Sequence, residues 1–226
     1  MTAKKRTERK RANEIKNKKP VKSRKPIIIV ALLIGIIVVA AGIVFILYGP
    51  SNNGTKNQDS GSSTENPVAI INTSKGIIEI ELFENITPKT VENFVKLAND
   101  GFYNGMIFHR ILDDFMIQAG NTYANGTTKT SPYGNIVFES NSELTHEDGA
   151  ISMASTGAKV GGSAQFFICD GAQSSLDGNY AVFGKTIEGI NVVRDIADEP
   201  HDSSYGSVGG GKPLEDIIIY SITIEE

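Results

Sequence analysis

The stretch Phe108-His109-Arg110-Ile111-Leu112-Asp113-Asp114-Phe115-Met116-Ile117-Gln118-Ala119-Gly120 decides how this chain is read. Two apolar runs, 106–112 and 115–119, flank the Asp113-Asp114 pair. An acidic pair of that kind suits a solvated turn, so the stretch reads as strand, turn, strand. Further apolar runs follow at 136–138, 150–154, 165–169, 180–183 and 216–224. Upstream, Val68-Ala69-Ile70-Ile71 and Ile77-Ile78-Glu79-Ile80-Glu81-Leu82-Phe83 flank Lys75-Gly76, the pattern of a hairpin. Thr87-Pro88 predicts a helix start with proline at its first position. Val91, Phe94, Val95 and Ala98 then recur at helical spacing, and Gly101 marks the stop. A second short helix is predicted at 188–197. Many short strands with two helices predict a mainly β domain, barrel or sandwich, and pattern alone does not separate the two.

The chain has 226 residues and a formal net charge of -4, which hides a strong split. Residues 1–25 hold twelve Lys/Arg and two acids, leaving ten basic and twenty-four acidic residues for the remainder. Ile27 to Tyr48 is a 22-residue run without a charge. As a helix it would span roughly 33 Å, matching a hydrocarbon core of about 30 Å. It is long for the apolar region of a cleaved signal peptide, and no lipoprotein cysteine follows it. An uncleaved transmembrane helix is therefore expected. The basic flank places the N-terminus in the cytoplasm and the larger C-terminal part outside, by the positive-inside rule. Beside such a run, the basic tail fits topology and anionic headgroups better than nucleic acid, so no nucleic-acid partner is expected. Residues 49–66 are rich in Ser, Asn, Gly and Thr and read as a flexible tether. The expected organisation is a basic cytoplasmic tail at 1–26, a membrane helix at 27–48, a linker at 49–66 and a folded domain at 67–226.

Several chemistries lack support. Cys169 is the lone cysteine, so no internal disulfide can form, and its apolar flanks suggest a buried strand. His109, His146 and His201 lie far apart with no metal-ligand spacing, and no metal site or cofactor is expected. Gly206-x4-Gly211-Lys212 matches the front of a phosphate-binding loop, but Pro213 stands where that motif needs Ser or Thr. A mobile glycine loop is the expected reading there.

The blocks of the opening stretch continue downstream in a fixed order. They are Gly149-Ala150-Ile151-Ser152-Met153-Ala154, Gln165-Phe166-Phe167-Ile168, Leu176-Asp177-Gly178, Tyr180-Ala181-Val182-Phe183-Gly184 and Glu188-Gly189. Together with Phe108-His109-Arg110-Ile111 and Phe115-Met116-Ile117-Gln118-Ala119-Gly120, they resemble the cyclophilin family over essentially all of 67–226. The resemblance implies a closed eight-stranded antiparallel barrel with two capping helices, and peptidyl-prolyl cis-trans isomerase activity. It implies that Arg110 is the catalytic arginine, with Phe115 beside it and Gln118 supporting arginine and substrate. It further implies that Met116, Phe167, Leu176 and Tyr180 wall a proline pocket, and that Ala154, Ser155 and Gln165 contact the peptide.

Three departures from the family pattern stand out. Ser175 occupies a place where many members carry Trp, which puts high cyclosporin affinity in doubt. Tyr180 replaces a pocket histidine and keeps an aromatic wall. The segment from Ala154 to Gln165 is one residue longer than usual, with Ala164 before Gln165. The expected protein is a monomeric, single-pass, membrane-anchored isomerase of bacterial type. It would act on proline-containing polypeptides, newly exported proteins among them, and touch lipid through 27–48. The alternative is a non-catalytic proline-binding or chaperone module at the membrane surface.

Overall fold

A computed structural model describes residues 65–226. The expected tail, membrane helix and nearly all of the expected linker lie outside the described residues. The described chain runs β1 (Val68–Thr73), β2 (Gly76–Leu82), α1 (Pro88–Asn99), β3 (Arg110–Leu112), β4 (Met116–Ala119), β5 (Ala150–Met153), β6 (Phe166–Cys169), β7 (Ala181–Glu188), α2 (Ile190–Ala197) and β8 (Ile219–Glu225). Eight strands pair antiparallel in the order β3-β4-β6-β5-β7-β2-β1-β8. β3 and β8 end the ladder, and the segments entering them are bonded to each other. Gly105 N donates to Ile219 O at 2.8 Å, Ile219 N to Met106 O at 2.8 Å and Phe108 N to Ile217 O at 3.1 Å.

The alternation in β2 shows why these residues choose a strand. Ile78, Ile80 and Leu82 point inward and are fully buried, while Glu79 and Glu81 face outward. That period of two suits a pleated sheet with one covered face. The predicted hairpin forms as expected, with Thr73 opposite Gly76. Of the apolar runs, 136–138 does not form a strand. Ile136 and Phe138 instead pack against the core from a loop, with Ile136 N bonded to Gly162 O at 2.9 Å. Val137 between them is 61% exposed, so the run's inward and outward sides survive without a ladder.

α1 lies against β7 and β8, and α2 against β2, β3 and β4. Phe94 of α1 inserts into a ring cluster with Tyr103, Phe166 and Phe183, at centroid distances of 5.4, 5.5 and 5.2 Å. Tyr103 is fully buried, and its hydroxyl donates to Ala164 O at 3.1 Å. A buried phenol needs that acceptor, because an unpaired O–H would forfeit its hydration without replacement. The helix ends as predicted. Gly101 adopts φ +63°, and the bonds Gly101 N to Ala98 O and Phe102 N to Leu97 O close the last turn.

α1 starts where the sequence predicts, with Pro88 at its first position, but the local side chain does not cap it. Thr87 is the N-cap residue, but its hydroxyl turns back to Phe83 O at 3.3 Å and does not cap the helix. The carboxylate of Glu139, 49 residues from Thr90, does so instead. It accepts from Lys89 N at 3.2 Å, Thr90 N at 2.7 Å and the Thr90 hydroxyl at 2.7 Å. A negative charge on the free amides of a helix N-terminus is stabilising, and here it also fastens a long loop. Glu139→Ala should lower the urea-unfolding free energy by about 1 kcal/mol, within the range of roughly 0.5–2 for loss of a cap. Glu143→Ala, exposed on the same loop, should stay within ~0.5 kcal/mol; equal effects would refute the capping role.

Candidate active site

The sheet register sorts residues of β3, β4, β6 and β5 into two rows. Ile111 pairs with Ile117, Ile117 with Ile168, and Ile168 with Ile151. All four are fully buried in the main core. The neighbouring row runs Arg110, Gln118, Phe167, Ser152 by the same pairings. Side chains one residue apart on a strand face opposite sides, so this second row looks away from the core. There Met116, Ala150, Phe167, Cys169 and Val182 form a separate buried cluster, with Phe115, Ala154, Leu176 and Tyr180 packed against it. Cys169 is thus a core residue, as its flanks suggest, and burial pushes its thiol up to about 12.

On this outer side lies a cavity of about 210 Å³. It is lined by Arg110, Phe115, Met116, Gln118, Ala154, Ser155, Phe167, Leu176 and Tyr180, nine residues singled out in the sequence, and by Tyr205, which was not. Gln165 lines an adjoining cavity of about 160 Å³ that shares Gln118, Ala154 and Ser155. Its amide oxygen accepts from Gln118 Nε2 at 3.0 Å, so the two glutamines join the two cavities.

Arg110 is held from outside the strand ladder. Nε donates to Gly209 O at 3.2 Å, and Nη2 donates to Val208 O at 2.9 Å and Gly209 O at 3.0 Å. The guanidinium lies 4.9 Å from the Tyr205 ring centroid and 5.8 Å from that of Phe115, within cation–π range. Its hydrogen bonds run to these carbonyls and not to Gln118. Burial lowers its pKa from the ordinary value, but guanidinium remains a cation at neutral pH.

Sequence reasoning missed a second arrangement. His146 Nδ1 lies 2.8 Å from Asp177 Oδ1, and its Nε2 lies 3.1 Å from Ser152 Oγ. The line resembles a nucleophile–base–acid set, but Ser152 is fully buried, so it meets no substrate. The imidazole instead stacks on Phe167, with centroids 5.8 Å apart and planes 7° apart. Burial lowers the His146 pKa, while hydrogen bonds from His146 lower that of Asp177. At neutral pH this is therefore a carboxylate accepting from a neutral imidazole. Its effect is to brace the back of the cavity wall. The three residues lie scattered over 146–177, with no local motif to reveal them.

Residues 68–224 match the family model "Cyclophilin type peptidyl-prolyl cis-trans isomerase/CLD". The chain belongs to the cyclophilin family. A chicken relative, "Peptidyl-prolyl cis-trans isomerase-like 3" (Gallus gallus), is 41% identical over 157 residues, covering 68% of this chain and 93% of its own. A Staphylococcus aureus relative named for the same activity is 37% identical over 190 residues, covering 70% of this chain and 91% of its own. A Cryptosporidium parvum cyclophilin-type isomerase, crystallised in the presence of the dipeptide Ala-Pro, superposes with a TM-score of 0.63. It is 33% identical and covers 70% of this chain and 99% of its own. The cyclophilin domain is thus a peptidyl-prolyl cis-trans isomerase.

The departures from the family pattern now have positions. Ser175 is exposed in a short 3-10 turn and does not line the 210 Å³ cavity of the cyclophilin domain. Tyr180 packs edge-on against Phe167 at 5.9 Å and keeps an aromatic wall. Ala164 is buried, and its carbonyl is the acceptor for Tyr103.

His109, beside the arginine, is 8% exposed, and its Nδ1 has no hydrogen-bond partner among the described residues. Burial lowers its pKa to about 4, helped by the Arg110 charge and opposed by a hydrogen bond with Gln165. The unfolded chain takes up this proton near pH 6.5, whereas the folded chain waits until about 4. Its contribution is therefore complete above pH 6.5 and is lost as pH falls towards 4, by up to about 1.4 kcal/mol per pH unit. His146 acts in the same direction. Urea titrations at pH 7 and pH 5 should show this fall, and His109→Asn should flatten it; identical slopes in wild type and variant would contradict the assignment.

Proposed function

We propose that the cavity grips the proline ring of an X–Pro peptide and that Arg110 stabilises the twisted amide. The observation that carries this reading is one cation, tied to the protein through Nε and Nη2, on a cavity that Phe115, Met116, Phe167, Leu176 and Tyr180 line together with the polar Gln118 and Ser155. Rotation about an X–Pro bond faces a barrier of about 18–20 kcal/mol from amide resonance. Uncatalysed exchange takes tens to hundreds of seconds. At the top of the barrier the resonance is lost and the nitrogen lone pair is localised. Nη1, which none of the three bonds engages, donates to it. Phe115, Met116, Phe167, Leu176 and Tyr180 hold the ring, while Gln118, Gln165, Ala154 and Ser155 hold the flanking peptide. One side of the amide then turns against the other. The gain lies in binding the twisted state better than either planar one, and no proton transfer or covalent intermediate is involved.

The setting is part of the same proposal. Residues 27–48 anchor a single-pass bacterial membrane protein with its N-terminus in the cytoplasm, and the monomeric domain assists exported chains as they fold. The uncharged run and its basic flank support the topology, and the Staphylococcus aureus relative supports a bacterial form. The sheet is read as a closed barrel, supported by the three backbone bonds between the segments entering β3 and β8.

In a proline-limited peptide isomerisation assay on residues 67–226, wild type should accelerate exchange and Arg110→Ala should lose at least tenfold, with circular dichroism unchanged. A folded variant with wild-type turnover would sink the arginine mechanism. Binding without turnover in the wild type would select a proline-binding module. Protease added to intact cells should release the C-terminal domain; its protection would reverse the proposed orientation.

A further inference from the structure

The glycine-rich segment that half-matches a phosphate loop has another role in the fold. Residues 202–211 lie between α2 and β8. At the neck, Asp202 Oδ1 accepts from Ser204 N and Lys212 N, both at 2.9 Å, and Asp202 N donates to Lys212 O at 2.9 Å. Beside the neck the segment is seated on β3, where Ile111 N donates to Gly211 O at 2.9 Å and Gly211 N to Ile111 O at 3.2 Å. Within the loop closed by this neck lies a 3-10 turn, Gly206–Val208, with Val208 N bonded to Tyr205 O and Gly209 N to Gly206 O, both at 3.2 Å. The expectation of a mobile loop therefore meets a segment bonded at both ends and along its length.

What this segment presents to Arg110 is specific. Val208 and Gly209 offer their carbonyls to Nε and Nη2, and Tyr205 lays its ring 4.9 Å from the guanidinium. Three of five guanidinium N–H groups are thereby engaged on one side. A free arginine side chain carries large rotamer entropy, and fixing it in advance removes that cost from the reaction. The seat leaves no spare room. Gly210 has φ +78°, and a Cβ there would lie 2.4 Å from Ile111 O.

We propose that residues 202–211 are a positioning strap, in which Tyr205 and the Val208 and Gly209 carbonyls hold Arg110 so that Nη1 faces the proline pocket. Tyr205 acts through the arginine, and the strap rests on the isomerase reading given above.

The test uses the full chain in detergent, labelled with 15N-arginine. In wild type the Arg110 Nε–H should exchange slowly with solvent, as a bonded group does. In Gly210→Ala and Tyr205→Ala that protection should be lost or sharply reduced. Turnover should fall at least tenfold in Gly210→Ala and at least threefold in Tyr205→Ala, with peptide Kd within twofold of wild type. Tyr205→Phe should recover most of the turnover, because the ring and not the hydroxyl lies on the cation. If Gly210→Ala does not fold, the Tyr205 pair decides alone. Fast Nε–H exchange in an active wild type, or full turnover in folded Tyr205→Ala, overturns the strap. Slow exchange together with full activity in Arg110→Ala would instead sink the catalytic reading of the arginine.

Discussion

The hydrogen-bond register of β3 on β4 and β4 on β6 is the constraint on which the site depends. Because side chains alternate, one register puts Ile111, Ile117 and Ile168 in the core and Arg110, Gln118 and Phe167 outside it. A slip by one residue would drive the cation inward and strand the isoleucines in water. The apolar gain of the inner row therefore fixes the geometry of the outer row. Burial of each isoleucine side chain is worth roughly 1.5–3 kcal/mol, far more than the polar contacts between the outer residues.

Around that register the remaining parts come from far along the chain. The carboxylate of Glu139 fastens the long loop to the start of α1. His146, fixed between Asp177 and Ser152, backs Phe167. Residues 208 and 209 reach Arg110 across 98 and 99 positions of sequence. The first satisfies amides left open at a helix start, and the other two support Phe167 and Arg110, which line the cavity. The apolar row stands behind the cavity on the core side, and the last two of these non-local contacts hold residues of its wall.

This division explains what was legible in the sequence. The hairpin and both helices follow from local periodicity, and the strands β3 to β7 from short apolar runs, as expected where β5 and β6 are buried on both faces. Nine of the ten site residues suggested by the family blocks line a single cavity, and Gln165 reaches it through Gln118. The illegible parts share one physical cause. Whether 136–138 pairs as a strand, whether Thr87 caps its own helix and where the glycine loop lies all depend on partners outside the local window. Tyr205 escaped notice for the same reason: nothing near it in sequence announces the guanidinium it meets.

Adjacent residues Phe167 and Ile168 face opposite sides of one strand and are buried in separate clusters, Phe167 at the cavity and Ile168 in the main core. The cavity wall is therefore backed directly by the main buried core. Close-packed interiors have low compressibility, so a ring pressed against Phe167 meets little give. A soft pocket would admit side chains of several sizes by deforming around them. A stiff one discriminates by shape through the elastic resistance of what stands behind it, and here the hardness that tells one ring from another is lent by isoleucines that no substrate ever touches.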